Sequence, residues 1–183
     1  MNTNNDQELI TRLQDSSTRR AAFEQVVSKF SEPLYWQIRR MVLDHDDAND
    51  LLQNTFIKAW TNLDQFRGDA RLSTWLYRIA INECLSFLNK QQAQKNFSID
   101  DGDTSIVNQL ESDPYFDGDE TQRMFQEAIH TLPEKQRVVF QMKYFQEMKY
   151  EDISDIMGTT IGTLKATYHH AVKKIEDFFN KND

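Results

Sequence analysis

Apolar residues recur at helical spacing along most of the chain, and the places where that spacing fails mark its joints. Leu9, Ile10 and Leu13 predict a short amphipathic helix. A longer one starts near Thr18 and carries Ala22, Phe23, Val26, Val27 and Phe30. Pro33 suits the first turn of a continuing or a new helix, since its missing N–H is least costly there. Leu34, Ile38, Met41 and Val42 then keep the helical spacing. Asp46 is read as the N-cap of a helix over residues 47–62, whose first-turn acids complement the helix dipole. Its apolar stripe is Ala48, Leu51, Leu52, Thr55, Phe56 and Ala59. Arg67-Gly68-Asp69 marks a loop. Ser73 is read as the cap of a helix reaching about residue 90, with Leu76, Ile79, Ala80, Leu85 and Leu88 inward.

From about Lys95 the pattern is lost. Residues 98–119 are rich in Asp, Ser and Gly and show no period, which predicts a flexible linker. Ile99, Ile106 and Pro114-Tyr115-Phe116 interrupt it as possible docking points. Helical spacing resumes over 121–131, after Pro133, and over 150–157, where Gly158 ends it. Thr160 is placed to cap a last helix from residue 161 to about 179. No strand pairs and no repeats are visible. The expectation is an all-α protein of two small helical domains, residues 1–95 and 121–183, joined by an acidic flexible linker at 96–120.

Composition narrows the classes. Of 183 residues 39% are hydrophobic, and no apolar run is long enough for a membrane span. The opening MNTNNDQEL lacks the basic and apolar regions of a signal peptide, so a cytoplasmic protein is expected. The single cysteine, Cys84, excludes an internal disulfide and a cysteine-based zinc site, and is read as a small buried residue. The net charge of −8 argues against DNA binding until it is located. Residues 1–95 hold twelve basic and twelve acidic side chains, and residues 128–183 hold eight of each. The excess lies in 96–127, where Arg123 faces nine acids. Each end module is neutral and should grip DNA weakly by itself, because phosphate neutralisation supplies most non-specific affinity.

The informative motifs are DANDLLQNTFIKAW, then TNLDQFRGDARLS, then TWLYRIAINECLSFL, and in the last third LPEKQRVVF with YEDISDIMGTTIGTLKATYHHAVKKI. The last of these reads as a helix-turn-helix. Its final helix puts Leu164, Tyr168, Ala171, Ile175 and Phe178 on one stripe and Lys165, Ala166, His169, His170 and Lys173 opposite. The first block resembles the polymerase-binding and −10-reading domain of a bacterial sigma factor, and the second resembles its −35-reading domain. Their order and close spacing resemble the small extracytoplasmic-function branch. That resemblance implies a set of partners: core RNA polymerase at its clamp and flap regions, promoter DNA as −35 duplex and −10 single strand, and an anti-sigma factor as regulator. It implies no cofactor, no metal and no membrane insertion. It assigns polymerase docking to Asp50, Gln53, Asn54, Phe56 and Trp60, with Asn54 standing where many members carry Glu. It assigns −10 capture to Phe66, Arg67, Arg71, Arg78 and Asn82. Aromatic platforms and backbone cations are what single strands require, so Trp75 and Tyr77 are further aromatic candidates; Phe66 and Trp75 read alternatively as core residues, the reading preferred for Trp75. Asn82 either holds a buried hydrogen bond or reads a base edge, and its RIAIN context resembles the base-reading position. For the −35 duplex the resemblance assigns Thr163, Lys165, Ala166, His169, His170 and Lys173. The arginines common in the family at positions matching Thr167, His170 and Val172 are absent, which implies a different −35 preference.

An enzyme fits poorly. His45-Asp46-Asp47 is similar to the metal-binding pair of phosphohydrolases, but His130, His169 and His170 do not complete such a set, and no phosphate-cradling glycine loop is present. The rivals to a sigma factor are a stand-alone helix-turn-helix regulator and a protein-binding adaptor that reads no DNA.

Overall fold

The structure, a computed structural model, describes residues 3–66, 68, 71–97 and 120–182. It divides into two compact units, Met1–Lys90 and Gln91–Asp183. Every described element is helical. The expectations that fall on residues 98–119 and on Arg67 lie outside the described residues.

The first unit is built from α1 (Thr3–Gln14), α2 (Arg19–Val42), α3 (His45–Thr61), a 3-10 turn at Leu63–Gln65 and α4 (Leu72–Phe97), whose last residues extend past the unit's boundary. Leu9, Ile10 and Leu13 of α1 are buried, as their spacing predicts. Pro33 lies inside α2, so the continuing helix is the alternative realised. Proline supplies no N–H to the turn before it, a loss offset by Phe30, Leu34 and Ile38, all buried on the same side. Leu43 ends α2 in the left-handed region, φ 65°, with its N–H on the Arg39 carbonyl at 2.9 Å.

That sharp end corrects the start of α3. The cap is Asp44, not Asp46. Its extended backbone lets the carboxylate accept from the N–H groups of Asp46 (2.8 Å) and Asp47 (2.9 Å). Ala48, Leu51, Thr55, Phe56 and Ala59 are buried beneath, as expected. The start and end of α4 are also corrected. It begins at Leu72, so Ser73 lies within its first turn, and it runs on to Phe97. Leu76, Ala80, Ile81 and Cys84 form its buried side, while Ile79, Leu85 and Leu88 are half-buried.

The second unit holds α5 (Glu120–His130), α6 (Glu134–Tyr144), α7 (Tyr150–Met157) and α8 (Ile161–Asn182). Ala128, Ile129, Leu132, Phe140, Ala171 and Ile175 make its core, with Phe125, Phe145, Tyr168 and Val172 packed around them. Gly158 closes α7 at φ 62°, where a side chain would be strained, and its N–H donates to Ser154 at 2.9 Å. Thr160 caps α8: its Oγ1 accepts from the Thr163 N–H at 3.2 Å, and its carbonyl accepts from Leu164 at 3.0 Å.

Candidate functional site

Three exposed faces carry the candidate residues. The first is the outer side of α3. Asp50, Gln53 and Asn54 are exposed there, as a docking face requires. Trp60 is 44% exposed and rests edge-on against Phe23, ring centroids 5.0 Å apart. Phe56 is buried, also edge-on to Phe23 at 6.4 Å, so it supports the face from behind and offers no contact surface of its own. Ile57, 56% exposed, joins Trp60 in an apolar spot that the sequence reading missed. Its signal was present: a large β-branched residue off the apolar stripe, with nothing inside to bury it. Lys58 pairs with Glu83 and ties this helix to α4. At the acidic start of α3, burial raises the Asp47 carboxyl above the usual carboxylate range, and the charges of Asp44, Asp50 and Asp46 add to it.

The second face runs along α4. Arg71, Trp75, Arg78 and Asn82 follow one another at helical spacing. Arg71, Arg78 and Asn82 are exposed and Trp75 is half-buried. Exposure of Asn82 removes the alternative of a buried structural amide. Phe66 departs from expectation. It is buried, its ring 4.9 Å from that of Trp75, and presents no open face for a base. Tyr77 is buried too, its hydroxyl pushed up to about 12 by burial against an opposing pull from Arg40. The Cys84 thiol, wholly buried, is likewise pushed up to about 12 by burial and then by the charge of Glu83.

The third face belongs to the α7–α8 corner. Leu164, Ala171 and Ile175 turn inward, while Lys165, Ala166, His169, His170 and Lys173 are exposed on the other side of α8. The His169 and His170 rings lie 6.1 Å apart. Thr163 is exposed, but its hydroxyl is engaged with that of Thr160 at 2.8 Å, in the cap of α8. Two cations flank Tyr150 at the start of α7: Lys143 at 4.9 Å and Lys165 at 5.8 Å from the ring centre. Neither Tyr150 nor Lys143 was singled out by the sequence. Among the described residues no group of His, Cys, Asp and Glu side chains could hold a metal ion. No helix among them is long and apolar enough to cross a membrane.

What these faces can do is bind: an apolar spot ringed by polar groups suits a protein surface, and the exposed cations and amides suit nucleic acid. Comparison with known proteins identifies the family of the chain. The pattern of Sigma-70 region 2 matches residues 26–94, and that of Sigma-70, region 4 matches residues 122–175. The chain is 31% identical to the RNA polymerase sigma-H factor of Pseudomonas aeruginosa, over 93% of this chain and 92% of that one. It is 30% identical to the ECF RNA polymerase sigma factor SigW of Bacillus subtilis, over 81% of this chain and 83% of that one. Among solved structures it is similar to the sigma factor RpoE from Bartonella quintana, in complex with the anti-sigma factor NepR. There the TM-score is 0.70 at 26% identity, covering 86% of this chain and 96% of that one.

Proposed function

The chain belongs to the extracytoplasmic-function branch of the sigma-70 family, and we propose from that premise that it directs core RNA polymerase to specific promoters. One observation carries the reading: the helix-turn-helix at α7–α8 presents an exposed polar face, and it follows, in the family's order, a unit whose α3 and α4 carry two further exposed faces. A stand-alone regulator would have no use for those faces.

In this reading Asp50, Gln53, Asn54, Ile57 and Trp60 dock on the polymerase clamp, with Phe56 stiffening the helix from inside. Arg71, Arg78 and Asn82, together with Arg67, hold the unpaired −10 strand. The cations take the backbone, and the Asn82 amide takes one base edge. Phe66 acts as support under Trp75. Lys165, Ala166, His169, His170 and Lys173 meet the −35 duplex, while Thr163 shapes the end of their helix. Residues 1–95 and 121–183 thus work as two DNA-reading modules, and the acidic stretch at 96–120 threads towards the polymerase's active-site and RNA-exit channel. The protein takes part in transcription by binding and not by catalysis, and it acts in the cytoplasm. An anti-sigma factor is its regulator, as NepR partners the Bartonella protein.

Run-off transcription with core polymerase on a genomic fragment library tests the whole. Specific initiation that requires both proteins is expected. Specific DNA binding by the chain without core polymerase would instead establish a stand-alone regulator.

A further inference from the structure

Residues before 26 precede the stretch matched by Sigma-70 region 2, yet the structure gives them a definite task. Arg19 stands where three pieces of chain meet. Its Nε–H donates to the Leu13 carbonyl near the end of α1, at 3.0 Å. A terminal nitrogen of the same guanidinium pairs with the Asp64 carboxylate in the 3-10 turn, at 2.9 Å. The corner itself is held by the Thr18 hydroxyl, which donates to the Arg12 carbonyl at 2.8 Å. A second point of approach lies further along. A Cβ built on Gly68, at φ +78°, would stand 3.5 Å from Cγ2 of Ile10, which is ordinary contact distance. Through Arg19, at the start of α2, the end of α1 is therefore linked at Asp64 to the segment after α3, and Ile10 of α1 lies near Gly68 of that segment. Between those points lies Phe66, buried against Trp75, and Trp75 belongs to the stripe that carries Arg78 and Asn82.

Stability alone does not account for this arrangement. Asp64 is 77% exposed, and exposed ion pairs contribute little. What the planar guanidinium does supply is direction, because its donors point along fixed lines. We propose that Arg19 is a positioning residue for −10 strand capture. It ties α1 to the 3-10 turn and so sets where Phe66, which directly follows that turn, sits against Trp75 of α4. This rests on the reading of the α4 face given under Proposed function.

The test uses holoenzyme and the non-template single strand spanning the −10 element of a promoter recovered by run-off transcription. Asp64→Asn takes the charge out of the link to the turn and leaves Arg19 hydrogen-bonded to the Leu13 carbonyl of α1. It is expected to weaken oligonucleotide binding about two- to fivefold, the effect of losing one partly exposed ion pair. Affinity for core polymerase and the melting midpoint should stay unchanged, and the effect should vanish when Arg19 is already Ala. Asn82→Ala serves as the control. If Asn82→Ala weakens binding and Asp64→Asn does not, the positioning role is overturned and the face stands. If neither variant changes binding, the face itself is overturned. A loss from Asp64→Asn that persists in the Arg19→Ala background would also overturn the proposal, since Asp64 would then act without Arg19.

Discussion

Acid should loosen the second unit through one histidine. His130, at the end of α5, has its Nε2 shut off from solvent with no hydrogen-bond partner, and its Nδ1 lies 3.4 Å from the Arg137 guanidinium. Burial first, and then the Arg137 charge, lower its pKa to about 3. In the unfolded chain an imidazole titrates near about 6.5. The folded value is the depressed one, so the unfolded chain takes up the proton first. The corresponding stability is fully present above about 6.5 and is lost as pH falls from there towards 3. At about pH 5.5, one unit below the unfolded value, the loss relative to about pH 7.5 is about 1.4 kcal/mol. Urea unfolding at the two pH values, followed by far-UV circular dichroism, measures it. All three tryptophans, Trp36, Trp60 and Trp75, lie in the first unit, so their fluorescence tracks that unit separately. His130→Leu should remove most of the pH dependence of the second transition. In parallel, a nitrogen-detected NMR titration should show the His130 ring neutral down to about pH 5, well above its lowered pKa. Equal pH slopes in wild type and variant, or a His130 ring that protonates near about pH 6.5, would refute the reasoning.

Other expectations concern single side chains. Gln37 is wholly buried and neither of its amide atoms has a partner among the described residues. Gln37→Met should therefore stabilise the first unit by about 1 kcal/mol, read by tryptophan fluorescence in urea, and a lowered midpoint would mean that the amide is satisfied after all. Ile57→Asp should weaken core-polymerase binding by roughly 1–4 kcal/mol with no change in melting, because the side chain is already exposed. Unaltered affinity in a titration would take Ile57 out of the interface. Lys165→Ala should weaken holoenzyme binding to a −35 duplex and reduce the salt slope by about 1, as one lost phosphate contact would. An unchanged slope would assign Lys165 to solvent.

Much of this fold can be read from spacing, because a 3.6-residue period directly reports which side of a helix is buried. The stripes of α3 and α8 are cases in point: Leu51 and Phe56, or Leu164 and Ala171, follow the expected pattern. Errors arose where the deciding interaction is three-dimensional. Asp44, Asp46 and Asp47 are chemically equal as caps, and the choice among them rests on the left-handed turn at Leu43, a residue that gives no such signal. The run QQAQKNF after residue 90 favours helix by propensity but carries no apolar stripe, so a periodic reading stops short of the true end of α4. At the sites, the exposure of Asn82 and Lys165 agreed with their polarity. Phe66 misled because an aromatic residue beside an Arg-Gly loop reads equally as a platform or as a plug, and only its contact with Trp75 decides. The Arg19 junction was invisible because its partners, Leu13 and Asp64, come together only when the chain folds back.

The enclosure of Cys84 has a practical consequence for kinetics. A thiol pushed up to about 12 in a site without solvent access is almost wholly protonated at neutral pH and beyond the reach of alkylating reagents. Once α4 leaves its neighbours, the same sulfur becomes an ordinary nucleophile. The chain thus carries its own clock. With no second cysteine to confuse the signal, the rate of labelling by an excess of maleimide reads how often the first unit opens. Slowing of that rate when core polymerase or a regulator is added would measure, without any engineered probe, how firmly each partner holds the unit shut.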